Sequence, residues 1–144
     1  MALERFEDIH AWKKGRELTK AIYQVTSSEP FSRDRSLCDQ LRRASVSIMS
    51  NIAEGFERDG NREFTQFLTL AKGSAGEVRA QLYVALDARY LAQEEFDRLS
   101  GLAIEVSRLI AGFIRYLRES EYRGSKFQRP NGIAEAAVPW NFEP

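Results

Sequence analysis

The sequence predicts an all-α protein, an up-down-up-down antiparallel four-helix bundle followed by an irregular C-terminal tail. Three observations carry that prediction. Apolar residues recur at the 3- and 4-residue spacing of one helix face in four separate segments. The segments are joined by short breaks, which makes consecutive helices antiparallel neighbours. The length of 144 residues suits a single domain, burying about two-thirds of its unfolded surface. Residues 1–118 are read as the bundle and 119–144 as an extended or partly disordered tail.

The first helix runs from about Asp8 to Thr26, where Ser27, Ser28, Glu29 and Pro30 break the pattern. Ala11, Leu18, Ile22 and Val25 line one face, and Ile9, Trp12, Thr19 and Tyr23 form a second stripe interrupted by Arg16. Two apolar stripes on one helix imply two packing partners. On that ground Ile9, Trp12 and Tyr23 are assigned to a subunit contact, since large aromatics are enriched at interface centres. The alternative is that Trp12 wraps the monomer's own core near the helix end.

The second helix, from Arg33 or Asp34 to Glu57, carries two adjacent stripes of different chemistry. Leu37, Leu41, Ala44, Ile48 and Ile52 form an apolar seam, and Gln40, Arg43, Ser47, Asn51 and Glu54 run beside it as a polar line. The turn Asp59-Gly60-Asn61 leads directly into a third helix, from about Asn61 to Tyr90 and roughly 45 Å long. Its apolar side is Phe64, Phe67, Leu68, Ala71, Ala75, Val78, Leu82, Ala85 and Leu86. With the turn at Gly60, antiparallel pairing sets Ser47 beside Gly73 and Ser74, Arg43 beside Glu77, and Gln40 beside Gln81. Arg43 and Glu77 are expected to form an interhelical ion pair, with Asn51 and Ser74 in the same polar layer. Gly73 and Gly76 each cost about 1 kcal/mol in a helix interior. Close approach of the second helix is the expected compensation.

The fourth helix begins after Ala92-Gln93 and continues to about Arg118 through Phe96, Leu99, Leu102, Val106, Ile110, Phe113 and Leu117. The tail beyond it loses the period and holds three of the four prolines. Val138, Trp140 and Phe142 make a docking peptide the alternative to a floppy end.

Composition narrows the function classes. An apolar fraction of 43% with 29% charge is that of an ordinary globular chain, and no apolar run approaches the roughly 18 residues of a membrane span. The opening Met-Ala-Leu-Glu-Arg-Phe-Glu-Asp is acidic and lacks a signal pattern, which places the chain in the cytoplasm with no membrane partner. Cys38 has no disulfide or metal-ligand companion and reads as a small core or groove residue. The 21 basic and 21 acidic residues balance, so the field of a dedicated nucleic-acid binder is absent. Arginine outnumbers lysine, 16 to 5, which favours bidentate pairing to carboxylates or phosphates.

At this point the residues resemble a known family. Phe6-Glu7-Asp8-Ile9 with Trp12, the run from Gln40-Leu41-Arg42-Arg43-Ala44 through Asn51-Ile52-Ala53-Glu54-Gly55, and Phe64, Phe67-Leu68, Ala71-Lys72-Gly73-Ser74 and Glu77 carry the likeness. They look like the bacterial four-helix-bundle family of proteins encoded in intervening sequences of 23S ribosomal RNA genes. The accessory variability protein of diversity-generating retroelements is similar. The resemblance covers about residues 6–118 and implies a barrel-like homopentamer of bundles. For the retroelement branch it also implies a basic surface that engages nucleic acid and a reverse transcriptase, from which the neutral charge of this chain departs.

No set of residues builds a reaction centre. His10 is the only histidine, which rules out paired Glu-x-x-His di-iron motifs and His-based zinc clusters, so no metal and no cofactor are expected. Gly73-Ser74-Ala75-Gly76 lacks the spacing and preceding strand of a phosphate loop. Two readings remain. One is a non-enzymatic homo-oligomer acting as an assembly or adaptor module for an unknown protein partner. The other is an RNA- or DNA-binding accessory factor using Lys13, Lys14, Arg16 and Lys20 with Arg108, Arg115 and Arg118, joined by Arg123, Lys126 and Arg129. A solvated charged face is the plainer reading of each basic cluster.

Overall fold

The computed structural model describes residues 2–123 and 133–134, with side chains over residues 3–120. Among the described residues the chain is a four-helix bundle: α1 (His10–Thr26), α2 (Arg35–Glu57), α3 (Asn61–Asp87) and α4 (Gln93–Arg123). Helix α1 packs on α2 and α4, and α3 packs on the same two, so α1 and α3 occupy opposite corners of the bundle. One core fills the space between them. Leu18, Ile22, Leu41, Ile48, Ile52, Leu68, Val78, Leu82, Val106 and Ile110 are all fully buried within it.

Three of the four helices have bounds that differ from the sequence reading. The first helix starts two residues later, because Phe6–Asp8 form a 3-10 turn and Ile9 leaves helical geometry as the cap of α1. Helix α3 stops at Asp87, and Arg89 takes a left-handed φ of 65°. That reversal closes the helix with the Tyr90 amide donating to the Ala85 carbonyl at 2.9 Å. It also turns Tyr90 back onto the body, where its ring stacks on Phe31 with centroids 5.0 Å apart. The Tyr90 hydroxyl then donates to Asp34 at 3.0 Å. Asp34 in turn caps α2 by accepting from the Leu37 amide at 3.1 Å.

At the other end, Phe56, Phe64 and Phe113 stack edge to face and join α2, α3 and α4. Helix α4 continues past Arg118 to Arg123. Ala2–Leu3 pair antiparallel with Ile133–Ala134, which brings part of the predicted tail back to the N-terminus. Val138, Trp140 and Phe142 lie outside the described residues.

The close approaches occur at glycines other than Gly73 and Gly76. A Cβ on Gly55 would sit 2.7 Å from Cβ of Phe67, and one on Gly15 would sit 3.2 Å from Cγ2 of Ile48. Those two positions let α2 meet α3 and α1. Among the described residues a Cβ on Gly73 or Gly76 meets nothing within 4 Å, so helix two does not compensate them. They lie on the opposite face of α3 from Ala71, Ala75 and Val78, which are buried. The expectation erred because it weighed the cost of the two glycines without their angle, which helical spacing already sets opposite the Ala71, Ala75 and Val78 seam.

Candidate functional site

The polar line of α2 meets α3 in three successive levels. In the first, the side-chain amide of Gln81 donates to Oε1 of Gln40 at 3.5 Å. In the third, the Ser74 hydroxyl donates to that of Ser47 at 3.0 Å. Asn51 joins this level by donating to both the Ser47 hydroxyl and carbonyl at 2.9 Å. Between them stand Arg43 and Glu77. Among the described residues no ion pair forms between these two, contrary to the sequence expectation. Both side chains are exposed, and an exposed pair gains at most about 1 kcal/mol while two long chains lose rotamer freedom. Hydration wins over pairing at this level.

The unclosed middle level opens a groove of about 470 Å³ between α2 and α3. Arg43 and Glu77 face it together with Asp39, Ser36, Gln40 and Gln81. Oε1 of Gln81 is buried and has no hydrogen-bond partner among the described residues, a rare condition for a polar atom. Glu54, the last residue of the polar line, lies outside the groove and pairs with Arg58 at 2.9 Å along α2.

The residues assigned to a subunit contact divide. Ile9 is fully buried and belongs to the protomer's own core, so it is removed from any such contact. The reason is the non-helical backbone at that position, which turns it away from the stripe that helical spacing assigned it. Trp12 is half-buried against the core and sits edge-on to Phe6, 5.2 Å between centroids. Tyr23 is 42% exposed, with the Arg42 guanidinium 4.6 Å above its ring. Arg42 also donates to the buried Thr26 hydroxyl at 2.8 Å, fixing the end of α1 on α2. Val46, 39% exposed and one helical turn from Arg42, extends this surface and was not singled out from the sequence.

The basic residues also divide. Lys13, Arg16 and Lys20 are exposed on α1, as are Arg108, Arg115 and Arg118 on α4. Lys14 is engaged by Glu17 at 3.2 Å and Glu105 at 3.5 Å. Partial burial pulls its ammonium down, but the Glu17 hydrogen bond and the attraction of both carboxylates outweigh that and raise it above the ordinary lysine value. Its charge is neutralised locally rather than offered to a ligand. The side chains of Arg123, Lys126 and Arg129 lie outside the described residues.

Cys38 is buried, and its thiol approaches the Phe31 carbonyl at 3.2 Å. Burial raises the thiol above its usual range, partly opposed by Arg42. Among the described residues, no three His, Cys, Asp or Glu side chains are grouped to hold a metal ion. No described helix is long and apolar enough to cross a membrane.

Comparison with known proteins adds two findings. The profile of the 23S rRNA-intervening sequence protein family matches residues 7–112. A crystal structure from Bacteroides thetaiotaomicron, of a protein with unknown function from the S23 ribosomal protein family, shares the fold with a TM-score of 0.67 at 21% identity. The match covers 73% of this chain and 98% of that one. Comparison with curated proteins returned no match.

Proposed function

This chain belongs to the 23S rRNA-intervening sequence protein family, and from that premise we propose that it is a cytoplasmic, non-enzymatic assembly module. It self-associates through its outer helix faces and presents the assembled surface to another protein. The observation that carries this reading is the crest of α3. Thr69, Gly73, Gly76, Ala80 and Val84 follow one stripe, all exposed and none charged, in a chain that is 29% charged. Leu70 and Val84 are 57% and 52% exposed. Two mid-helix glycines that meet no neighbour among the described residues lose about 1 kcal/mol each, and a second copy seated closely on the crest offsets that loss.

The complementary surface is the ridge of Tyr23 and Val46, with half-buried Trp12 and Met49 beside them. A ridge-to-crest contact joins two different patches, so it is head-to-tail rather than isologous, and it forms a ring where the rotation between copies closes. A pentamer, as the family resemblance implies, is one such ring. Light scattering on the wild type and on Tyr23→Glu with Val46→Glu tests it. The expected result is an oligomer that falls to the protomer mass in the variant. A monomeric wild type overturns the reading, and an unchanged mass in the variant removes the ridge from it.

The second reading is a nucleic-acid-binding accessory factor acting with a reverse transcriptase. Support comes from the exposed Lys13, Arg16 and Lys20 and from the likeness to the accessory variability protein of diversity-generating retroelements. The balanced charge and the neutralised Lys14 weigh against it. Retention on a generic oligonucleotide that declines steeply with salt, and that Lys13→Glu with Lys20→Glu abolishes, is its signature. No retention at low salt excludes it.

A further inference from the structure

The α2/α3 groove is the feature that self-association leaves unexplained, since all its walls come from one chain. Its chemistry is specific. The levels above and below are closed by Gln81 to Gln40 and by Ser74 to Ser47. These levels are seven residues apart on α2, so the open interval is on the order of 10 Å along the helix. Inside it, one wall offers a guanidinium and the other a carboxylate, and neither finds a partner among the described residues. The buried Oε1 of Gln81 lacks a donor one turn from Glu77. The Asp39 carboxylate lines the same groove.

A cation alone pairs with Glu77 but leaves Arg43 to solvent, and an anion alone does the reverse. A molecule carrying both groups on neighbouring atoms pairs with both without drawing the two helices together. We infer that this groove binds a zwitterionic amino compound of amino-acid to dipeptide size. Its carboxylate takes the Arg43 guanidinium in a paired hydrogen bond, the geometry for which arginine is suited. Its ammonium donates to the exposed Glu77 carboxylate. The volume of about 470 Å³ falls in the range of small-molecule sites. The groove is open to solvent and both charges are exposed, so the affinity is on the order of tens of millimolar.

Titration of the full chain with L-alanine and L-alanyl-L-alanine, followed by the side-chain amide signals of Gln40 and Gln81 in two-dimensional NMR, tests this inference. Propionate and ethylamine serve as single-charge controls. Saturable shifts at both amides with the zwitterions, and no saturation with either control at the same concentration, are expected. Arg43→Gln and Glu77→Gln should each weaken binding by up to about fivefold, because each removes one partner of an exposed charged pair. Both positions are exposed and unpaired, so the variants keep the helical circular dichroism of the wild type. Propionate shifting the amides as alanine does reduces the site to a simple anion contact and overturns the inference. So does the absence of saturable shifts, or equal affinity in Arg43→Gln. Oligomer mass is read separately, so failure here leaves the assembly reading intact and the converse holds.

Discussion

Gly55 and Gly73 show at single residues how differently one amino acid is used. Gly55 lies where α2 touches α3, and a Cβ there would overlap Phe67 at 2.7 Å and reach Phe64 at 3.0 Å. Gly55→Ala should therefore destabilise the fold by about 1–3 kcal/mol through forced repacking. The aromatic cluster of Phe56, Phe64 and Phe113 leaves the neighbours little room to give. Urea unfolding gives the number, and a change below about 0.5 kcal/mol would mean that the backbones move apart freely. Tyr90 is the second instructive residue. Its phenol donates to Asp34, and that hydrogen bond, followed by partial burial, raises the phenol above the ordinary tyrosine value. Tyr90→Phe should keep the stacking on Phe31 and slightly lower the urea midpoint through the lost hydrogen bond to Asp34.

At the scale of elements, Asp34 joins two helices. It caps the start of α2 through the Leu37 amide and anchors the chain leaving α3 through Tyr90. Asp34→Ala removes both contacts, and about 1–2 kcal/mol of stability should go with the cap alone. Asp34→Asn keeps the capping oxygen and should recover most of it. The contact between α1 and α4 has its own signature in pH. Lys14 is raised in the folded state by Glu17 and Glu105, so its contribution is complete below the unfolded lysine value. That contribution disappears as pH rises through the higher folded value. Tyr90, also raised, acts in the same direction. Thermal stability should thus decline in the alkaline range, and Lys14→Met with Tyr90→Phe should flatten that decline while leaving its shape at acidic pH unaltered. An undiminished alkaline slope in the double variant would exclude these two groups as its source.

For the whole molecule, the two exposed glycines of α3 connect stability to assembly. In a dissociated protomer, Gly73→Ala with Gly76→Ala should stabilise α3 by up to about 1 kcal/mol per site, because no neighbour meets the added methyl groups. In the ring proposed above the same methyl groups intrude on the closest contact. The double variant should then show a higher melting temperature at low concentration and a lower mass at high concentration. Higher stability with unchanged mass would detach the crest from the assembly.

Much of this was legible in the sequence. The apolar seams of all four helices, the turn at Gly60 and the facing of Gln40 on Gln81 and Ser47 on Ser74 follow from helical period and antiparallel pairing alone. Period and pairing are local rules, and a regular bundle extends them along its length. Three matters were decided only by the tertiary structure. Ile9 entered the core because a 3-10 turn, rather than a helix, precedes α1. Arg43 and Glu77 stayed apart because solvent competes for exposed charges that sit at matching positions. How closely the helices approach at Gly15 and Gly55 depends on where each helix is tangent to its neighbour. Sequence spacing determines which residues share a stripe, whereas the balance between packing, hydration and neighbouring helices determines what that stripe touches.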